Sequence, residues 1–285
     1  MVRALLSAVI AIVVLIVLIW LGLRVRPRPF AVYPDAEQEV SKVPLPVDLP
    51  APVTRYFQAT YCPEADPGDC LVPEITSAVI TGRARLRIAG ITFPSRFRFT
   101  HIAGQGYRHY IEATLFGIPL MVVNERYLDG VSLMELPFGT VENEPKVNQA
   151  ANLGLWGESL WLPAILLTDP RVRWQPVDGE TAILTVPFEE GNERFVARFD
   201  PHTGLLSQLE VMRYKNEEST AKTLWILESV VWDRVGGYFV PRTASATWFD
   251  EGTPWAIFEV EEIIYNANVD AYIRAKGRLP EARSR

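Results

Sequence analysis

The stretch Ile80-Thr-Gly-Arg-Ala-Arg-Leu-Arg-Ile88 decides the fold, because apolar or small residues alternate with polar residues along its whole length. Successive side chains of a β-strand point to opposite faces, so a period of two predicts a half-buried strand. Residues 94–102 repeat this period and place Phe97 and Phe99 on the apolar face. Residues 89–92 suit a hairpin turn, so the two strands are predicted to lie side by side.

The polar face of these two strands is a stripe of arginines. It consists of Arg83, Arg85, Arg87, Arg96 and Arg98. One interpretation is a face that binds an anionic ligand or an anionic lipid. The other is a solvated face whose arginines pair with the many acidic residues of the chain, and this interpretation requires no ligand.

Short apolar runs separated by turn residues continue through most of the chain. Asp200-Pro-His-Thr-Gly204 predicts a turn, because the Asp can bond its own backbone, the Pro presets φ and the Gly is free to take a positive φ. This turn predicts a hairpin between strands at residues 193–199 and 206–214. Further strands are predicted at residues 223–232, 238–248 and 254–265. In total the pattern indicates about ten or eleven antiparallel strands.

One segment, residues 144–163, breaks the strand pattern and spaces its apolar residues as a helix does. Pro145 suits the first turn of this helix, and Pro163 should end it near Leu162. We therefore predict an all-β fold with one internal helix. A curved antiparallel sheet, or incomplete barrel, would wrap around that helix behind an N-terminal transmembrane helix.

The run from Ala4 to Leu23 carries no charged residue. At about 1.5 Å per residue, a helix of that length spans the roughly 30 Å of bilayer hydrocarbon. A secretory signal peptide is the alternative, but its apolar region is shorter and ends in a small-x-small cleavage site, which this run lacks. We therefore predict that residues 4–23 form an uncleaved single-span anchor. The membrane is accordingly the first predicted binding partner of the protein.

The anchor and the prolines that follow it divide the chain into four segments. These are the anchor with its basic flanks at 1–28, a proline-rich spacer at 29–52, the curved β-sheet domain at 53–268, and a short helix with a charged tail at 269–285.

Cys62 and Cys70, the two cysteines of the chain, bear on the side of the membrane that the domain occupies. They enclose a short acidic loop rich in turn-forming residues, which suits a disulfide, and disulfides persist in oxidising compartments. Two unrelated free thiols are the alternative. The arginines that follow the anchor favour a cytoplasmic domain by the positive-inside rule. We expect a single-pass protein with an extracytoplasmic domain.

The composition is 48% hydrophobic and 22% charged, which predicts a packed core. Outside the four arginines that flank the anchor, 24 basic residues face 34 acidic ones, so the domain repels phosphate backbones and no nucleic-acid partner is expected. The motifs Gly-x-Ser-x-Gly, His-Glu-x-x-His, Cys-x-x-Cys and the phosphate-binding loop do not occur. We therefore predict neither a catalytic residue nor a cofactor.

His101 and His109 are the candidate metal ligands. They could bind a metal only by converging from neighbouring strands with a carboxylate such as that of Glu112. Ordinary polar positions on strands explain both residues, and the third histidine, His202, lies in a predicted turn. We therefore predict no metal site.

Glu158 lies in an otherwise apolar helix beside Trp156 and Trp161, and a carboxylate buried there requires a partner. We predict that Arg213 is this partner. The pair would either hold the headgroup of a ligand or fix the helix to the sheet as a structural ion pair. If the helix acts as a plug, an apolar groove beside it would be lined by Trp156, Trp161, Leu162 and Leu166.

Several segments resemble an uncharacterised bacterial family, catalogued as a domain of unknown function and numbered six five four four, or the related six nine two zero. The matching segments are Leu49-Pro-Ala-Pro-Val-Thr-Arg-Tyr-Phe57, Gly157-Glu-Ser-Leu-Trp-Leu-Pro-Ala-Ile-Leu-Leu167, Trp174-Gln-Pro-Val-Asp178, Phe199-Asp-Pro-His-Thr-Gly-Leu-Leu206 and Arg213-Tyr214. The resemblance covers residues 49–266 and implies no established activity. The strand-and-turn pattern is also similar to the periplasmic lipoprotein-carrier superfamily, which implies an incomplete β-barrel that folds around a helical plug and holds acyl chains.

Three hypotheses about function follow. The leading one is a membrane-anchored, non-catalytic envelope protein that binds a hydrophobic or acyl-chain ligand in a groove of the sheet. An interaction or scaffolding module of a membrane complex would instead have a filled interior and an exposed apolar patch. An enzyme of unfamiliar type would require a polar cluster around Glu158, Arg213 or His109 inside a pocket.

Overall fold

The structure is a computed structural model that describes residues 2–34 and 40–275. The helices in these ranges are α1 (Val2–Gly22), α2 (Ala51–Tyr61), α3 (Pro145–Gly157), α4 (Ile165–Thr168) and α5 (Asp270–Ile273), and 3₁₀ turns lie at Pro67–Asp69 and Glu158–Trp161. The strands are β1 (Lys42–Pro44), β2 (Leu71–Pro73), β3 (Ser77–Ile88), β4 (Ile91–Ile102), β5 (Gly106–Leu115), β6 (Ile118–Leu128), β7 (Val131–Leu136), β8 (Gly139–Glu142), β9 (Arg173–Pro176), β10 (Thr181–Phe188), β11 (Gly191–Phe199), β12 (Leu206–Arg213), β13 (Thr223–Val235), β14 (Tyr238–Trp248) and β15 (Pro254–Tyr265).

Thirteen of these strands form one antiparallel sheet, and β1 and β2 form a separate pair. The order in the large sheet is β8-β7-β6-β5-β4-β3-β15-β14-β13-β12-β11-β10-β9. Its outermost strands, β8 and β9, are not paired with each other, so the sheet is not closed into a barrel. The predicted all-β class, with a large open antiparallel sheet behind an apolar N-terminal helix, is confirmed, although the sheet has more strands than predicted.

The alternating stretch that predicted a strand forms the middle of the sheet as β3. Its hairpin to β4 turns at Ala89 and Gly90, whose φ angles of 48° and 81° match the twist of a two-residue hairpin. Gly82 interrupts the apolar face because a Cβ atom at this position would lie 2.2 Å from the carbonyl oxygen of Glu259 on β15. The glycine therefore permits the close approach of β3 and β15.

The predicted internal helix is α3, which lies in the hollow of the sheet. It contacts β5, β6 and β7 near one edge and β10 and β12 near the other, so the sheet curls around it. All of its residues from Val147 to Gly157 are buried. The side-chain oxygen of Asn148 accepts a 2.9 Å hydrogen bond from the backbone of Ser132 on β7, which satisfies a polar group in the core. The α-helix ends at Gly157, earlier than predicted, and continues as a 3₁₀ turn.

The end of the basic flank that follows the predicted anchor and the first part of the predicted spacer lie against the arginine stripe. Arg96 Nη1 donates a 3.0 Å hydrogen bond to the carbonyl of Arg28, and Arg98 donates one to the carbonyl of Ala31. The buried ring of Phe30 lies 4.5 Å from the Arg96 guanidinium. Part of the stripe thus binds the chain's own N-terminal segment, while ion pairs with acidic residues hold Arg83 and Arg87. Residues 35–39 of the predicted spacer lie outside the described residues.

Helix α1 is exposed along its length, and Gly22 is its one buried residue. The helix is long and apolar enough to cross a membrane, a property that it shares with signal sequences. The carbonyl of Gly22 accepts a 2.9 Å hydrogen bond from the backbone N–H of Phe116 in the turn between β5 and β6. Strand pairing places the β3–β4, β5–β6 and β14–β15 turns at one end of the sheet, which we call the anchor end.

Two smaller features complete the fold. Cys62 and Cys70 form a disulfide with Cα atoms 5.4 Å apart, and it joins the end of α2 to the start of β2. At the other end of the chain, α5 packs the ring of Tyr272 against that of Tyr33, with ring centroids 6.0 Å apart. Residues 276–285 of the predicted charged tail lie outside the described residues.

Candidate functional site

A pocket of about 80 Å³ lies between the 3₁₀ turn after α3 and the inner face of the sheet. Its apolar walls include Phe99, Ile111, Trp161, Trp225, Trp255 and Phe258. Its polar groups belong to Tyr107, His109, Glu125, Glu158 and Arg213. Arg213 and Trp255 are partly exposed and lie at strand termini at the anchor end, so the pocket opens toward the end of the sheet that holds α1.

Two histidines from the β4–β5 hairpin lie close together at the inner end of the pocket: His109 lines it, whereas His101 is buried beside His109 and does not line it. Residues of the same parity as Phe97 and Phe99 face the interior, and His101 continues that series on β4. On β5, His109 pairs with Phe99 across the ladder, which brings the two imidazole centroids to 6.0 Å. Both side chains are buried, and His101 is completely inaccessible.

Glu158 approaches both histidines from the end of α3. Its Oε2 atom lies 2.7 Å from His109 Nε2 and 3.1 Å from His101 Nε2. One potential ligand atom from each of these three side chains falls within 4.8 Å of the others, which is close enough to hold a metal ion.

A second carboxylate stands behind His109. Glu125 of β6 pairs with His109 across the sheet, and its Oε2 lies 3.7 Å from His109 Nδ1. The hydroxyl of Tyr107 donates a hydrogen bond to the other oxygen of Glu125. The ring of Tyr107 also stacks on His109 with centroids 3.9 Å apart. His109 is therefore held by a carboxylate at each ring nitrogen.

These contacts shift the pKa values of the cluster in opposite directions. Burial opposes protonation of His109, but the charges and hydrogen bonds of Glu158 and Glu125 outweigh burial and raise its pKa to about 9. Burial disfavours the charged form of Glu158, yet His109 and His101 outweigh it and lower its pKa to about 2. Burial lowers the pKa of His101. Near neutral pH, the cluster therefore holds an ionised His109–Glu158 pair beside a neutral His101.

Arg213 occupies the mouth of the pocket without the partner that we predicted. The expected ion pair with Glu158 is not formed, because Glu158 points to the histidines instead. The Arg213 guanidinium lies 4.2 Å from the ring centroid of Trp225. Among the described residues, no carboxylate lies within 4.0 Å of its nitrogens, and its Nε atom has no hydrogen-bond partner. A cationic group is thus available at the pocket mouth.

The other residues of the predicted groove are divided between the pocket and the core. Trp161 and Glu158 line the pocket, and the indole N–H of Trp161 donates a 2.8 Å hydrogen bond to the carbonyl of Pro241. Three others are buried in the core instead of lining the pocket: Trp156, Leu162 and Leu166. The interior is therefore mostly filled with side chains, and the groove is a small pocket.

The histidine prediction requires a correction. His101 and His109 are not ordinary polar strand positions, since both are buried and converge on a carboxylate. That carboxylate belongs to Glu158, whereas Glu112 faces the outer side and accepts a 2.7 Å hydrogen bond from Arg96. The signal was present in the sequence, because His101 continues the alternate positions of Phe97 and Phe99. Sequence reasoning also missed Tyr107 and Glu125, which face inward beside His109.

Solved structures similar to this chain come from several bacteria. They include a DUF1329 family protein from Desulfovibrio piger, with 13% identity, coverage of 70% of this chain and 90% of that chain, and a TM-score of 0.41. A putative outer membrane lipoprotein-sorting protein domain from Vibrio parahaemolyticus is 11% identical over 67% of this chain and 85% of its own, with a TM-score of 0.39. A LolA superfamily protein from Nitrosomonas europaea is 9% identical over 79% of this chain and 94% of its own, with a TM-score of 0.43.

No curated protein matches the sequence. The family model described as "Family of unknown function (DUF6544)" matches residues 38–260, which include the complete β3–β14 region and most of β15. The chain therefore belongs to the DUF6544 family, whose function is unknown.

Proposed function

We propose that α1 anchors this protein in a membrane and that its pocket binds one amphipathic, hydrophobic ligand taken from that membrane, without catalysis. The observation that carries the proposal is the position of the pocket mouth. Arg213 and Trp255 border the mouth at the anchor end, where Gly22 at the end of α1 is bonded to Phe116. A molecule that leaves the bilayer beside α1 would approach the pocket from the end of the sheet at which Arg213 and Trp255 lie.

The chemistry of the pocket fits an apolar body with an anionic head. Trp225, Trp255 and Phe258 offer aromatic surface to the body of such a ligand. The guanidinium of Arg213 is suited to bind a carboxylate or a phosphate by paired hydrogen bonds. At about 80 Å³ the pocket accommodates several water molecules or the end of a ligand. A long acyl chain would enter only after side chains at the mouth moved aside.

The disulfide supports an extracytoplasmic position for the domain. The bond between Cys62 and Cys70 would persist in the periplasm or another oxidising compartment and would be reduced in the cytosol. We therefore propose that the sheet lies on the outer side of the membrane that holds α1.

Native mass spectrometry of the full chain, purified in a mild detergent, tests the proposal. We expect one small amphiphile per protein, which organic extraction would release and identify. Arg213→Gln should raise the dissociation constant of the amphiphile about ten- to a hundredfold and so lower the amount retained, because a hydrogen bond to a charged group contributes about 1.5–3 kcal/mol. The matched control is Arg234→Gln, since Arg234 is exposed on β13 away from the pocket.

A second variant tests the apolar wall. Ala246 is buried and lines the pocket, so Ala246→Leu should occupy part of the space and reduce retention of the ligand. Circular dichroism would establish that this variant folds. If the wild-type protein retained no amphiphile and bound neither added fatty acid nor added phospholipid, the proposal would be wrong.

A further inference from the structure

We propose that His101, His109 and Glu158 bind a single Zn²⁺ ion at the inner end of the pocket. Two imidazole nitrogens and one carboxylate oxygen are a ligand set that zinc prefers. One atom from each of the three side chains already lies within 4.8 Å of the others. Since the ligands come from the protein alone, the zinc site does not depend on the amphiphile proposed above.

The state of His101 is the first argument for an ion. Its side chain is completely buried, and neither ring nitrogen makes a hydrogen bond of acceptable geometry with any residue that the structure describes. Its Nε2 atom is 3.1 Å from Glu158 Oε2 but is poorly directed toward it. A buried polar group without a hydrogen bond is costly, and coordination of Nε2 to a cation would remove that cost.

The surroundings of His109 are the second argument. Its Nε2 faces Glu158 and His101, while its Nδ1 faces Glu125 at 3.7 Å. In zinc proteins, the ring nitrogen that does not bind the metal commonly donates to a carboxylate, which orients the ring and increases its basicity. Tyr107 donates a hydrogen bond to Glu125 and so holds that carboxylate in place. Glu125 and Tyr107 are positioning residues in this arrangement.

Charge and spacing agree with a divalent ion. Zinc would displace the proton from His109 Nε2; with both histidines then neutral, Glu158 and Glu125 supply two negative charges, which Zn²⁺ balances. Zinc ligands in a tetrahedral site at about 2.0–2.1 Å from the metal lie roughly 3.3 Å apart. Glu158 Oε2 stands 2.7 Å and 3.1 Å from the two histidine nitrogens, so reaching this spacing requires the oxygen to move away from them by about 0.6 Å and about 0.2 Å. The fourth coordination position would face the pocket.

The test is a metal titration of the full chain in detergent after treatment with a chelator. We expect one equivalent of Zn²⁺ per protein by elemental analysis, and visible absorption bands of tetrahedral Co²⁺ when cobalt replaces zinc. His101→Gln, His109→Gln and Glu158→Gln should each abolish stoichiometric binding. The matched control is His202→Gln, because His202 lies in an exposed turn and should leave binding unchanged.

A positioning variant separates metal binding from a purely structural role. Glu125→Gln keeps the size of the side chain and should weaken zinc affinity about 10- to 100-fold, as expected for the loss of a carboxylate behind a histidine ligand. If a ligand variant failed to fold, Glu125→Gln and the cobalt spectrum of the wild-type protein would still decide. Less than a tenth of an equivalent of zinc in the wild-type protein, or equal binding by wild type and Glu158→Gln, would overturn the zinc site. Because the titration uses the metal alone, its failure would leave the amphiphile proposal standing.

Discussion

The backbone N–H of Phe116 donates a 2.9 Å hydrogen bond to the carbonyl of Gly22, which fastens the tip of the β5–β6 hairpin to the end of α1. A Cβ atom added to Gly22 would lie 2.7 Å from the side chains of Leu115 and Phe116, so the contact is close as well as bonded. Ile118 and Leu120 on the same hairpin are 69% and 56% exposed. If α1 spans a membrane, as proposed above, these apolar side chains belong at the surface of the bilayer.

We therefore predict that the hairpin tip is shielded by lipid. We reconstitute the full-length Ile118→Cys variant into liposomes and measure how fast its thiol reacts with a water-soluble maleimide. The rate should be at least several-fold lower than that of the same variant unfolded in urea without lipid or detergent. The matched control is Val131→Cys, because Val131 begins β7 at the opposite end of the sheet and is also exposed. Equal reactivity of the two thiols in liposomes would contradict a lipid-facing hairpin.

Gly82→Ala should destabilise the domain, because the new methyl carbon would stand 2.2 Å from the carbonyl oxygen of Glu259 and β3 would have to move away from β15. We expect a loss of about 1–3 kcal/mol in the free energy of unfolding, as for other overpacked positions. The matched control is Gly68→Ala, since a Cβ atom at Gly68 meets no atom of the described part of the chain within 4 Å. Urea unfolding followed by circular dichroism measures both variants.

The stability of metal-free protein should depend on pH through the His109–Glu158 pair. The pKa of His109 is raised from 6.5 to about 9, so its contribution is complete below pH 6.5 and is lost as pH rises through about 9. The pKa of Glu158 is lowered from 4.5 to about 2, so its contribution is complete above pH 4.5 and is lost as pH falls through about 2. The pair therefore stabilises the fold most between about pH 4.5 and 6.5.

Melting temperatures of the wild-type protein and His109→Gln, measured from pH 3 to pH 10 in the presence of a chelator, would reveal this dependence. The difference between the two proteins should be greatest inside that window and should shrink on either side. A difference that stayed constant across the whole range would show that His109 contributes packing alone.

The disulfide should stabilise the domain by about 2–3 kcal/mol, the chain-entropy value for a loop of this length. The Cys62→Ser/Cys70→Ser double variant should therefore unfold at a lower urea concentration than the wild type under oxidising conditions. Under reducing conditions the two proteins should unfold at the same urea concentration.

The same cysteines test the side of the membrane on which the domain lies. In intact cells, a membrane-impermeant thiol reagent should label the wild-type cysteines only after reduction. Labelling that requires cell lysis would place the domain in the cytosol.

The sheet was predictable because its signals are local. The alternation of Phe97 and Phe99 with arginines marks a strand face, and Gly90 marks the turn beside it. The buried helix was also predictable, because Pro145 marks its first turn and the apolar residues up to Trp156 follow helical spacing. Each of these signals involves only residues that are a few positions apart in the sequence, so it can be recognised without knowing the tertiary structure.

The site was only partly predictable because it is assembled over long distances. Glu158 was rightly singled out as a buried carboxylate in need of a partner, but its partners lie 49 and 57 positions earlier in the chain, at His109 and His101. Charge alone favoured Arg213. Glu158 meets the histidines because of the register of the β4–β5 hairpin and the position at which α3 ends. Neither feature can be predicted from the properties of single residues.

The unpaired edges of the sheet have a consequence for the space beside α3. A closed ring of strands has a fixed circumference, so its lumen widens only when backbone hydrogen bonds break. Here β8 and β9 are not paired with each other, so the sheet can open slightly while the hydrogen bonds between its neighbouring strands remain intact. The volume available to a larger ligand is therefore determined by the side-chain contacts between the sheet and α3. Each of these contacts is weak and can be replaced by another.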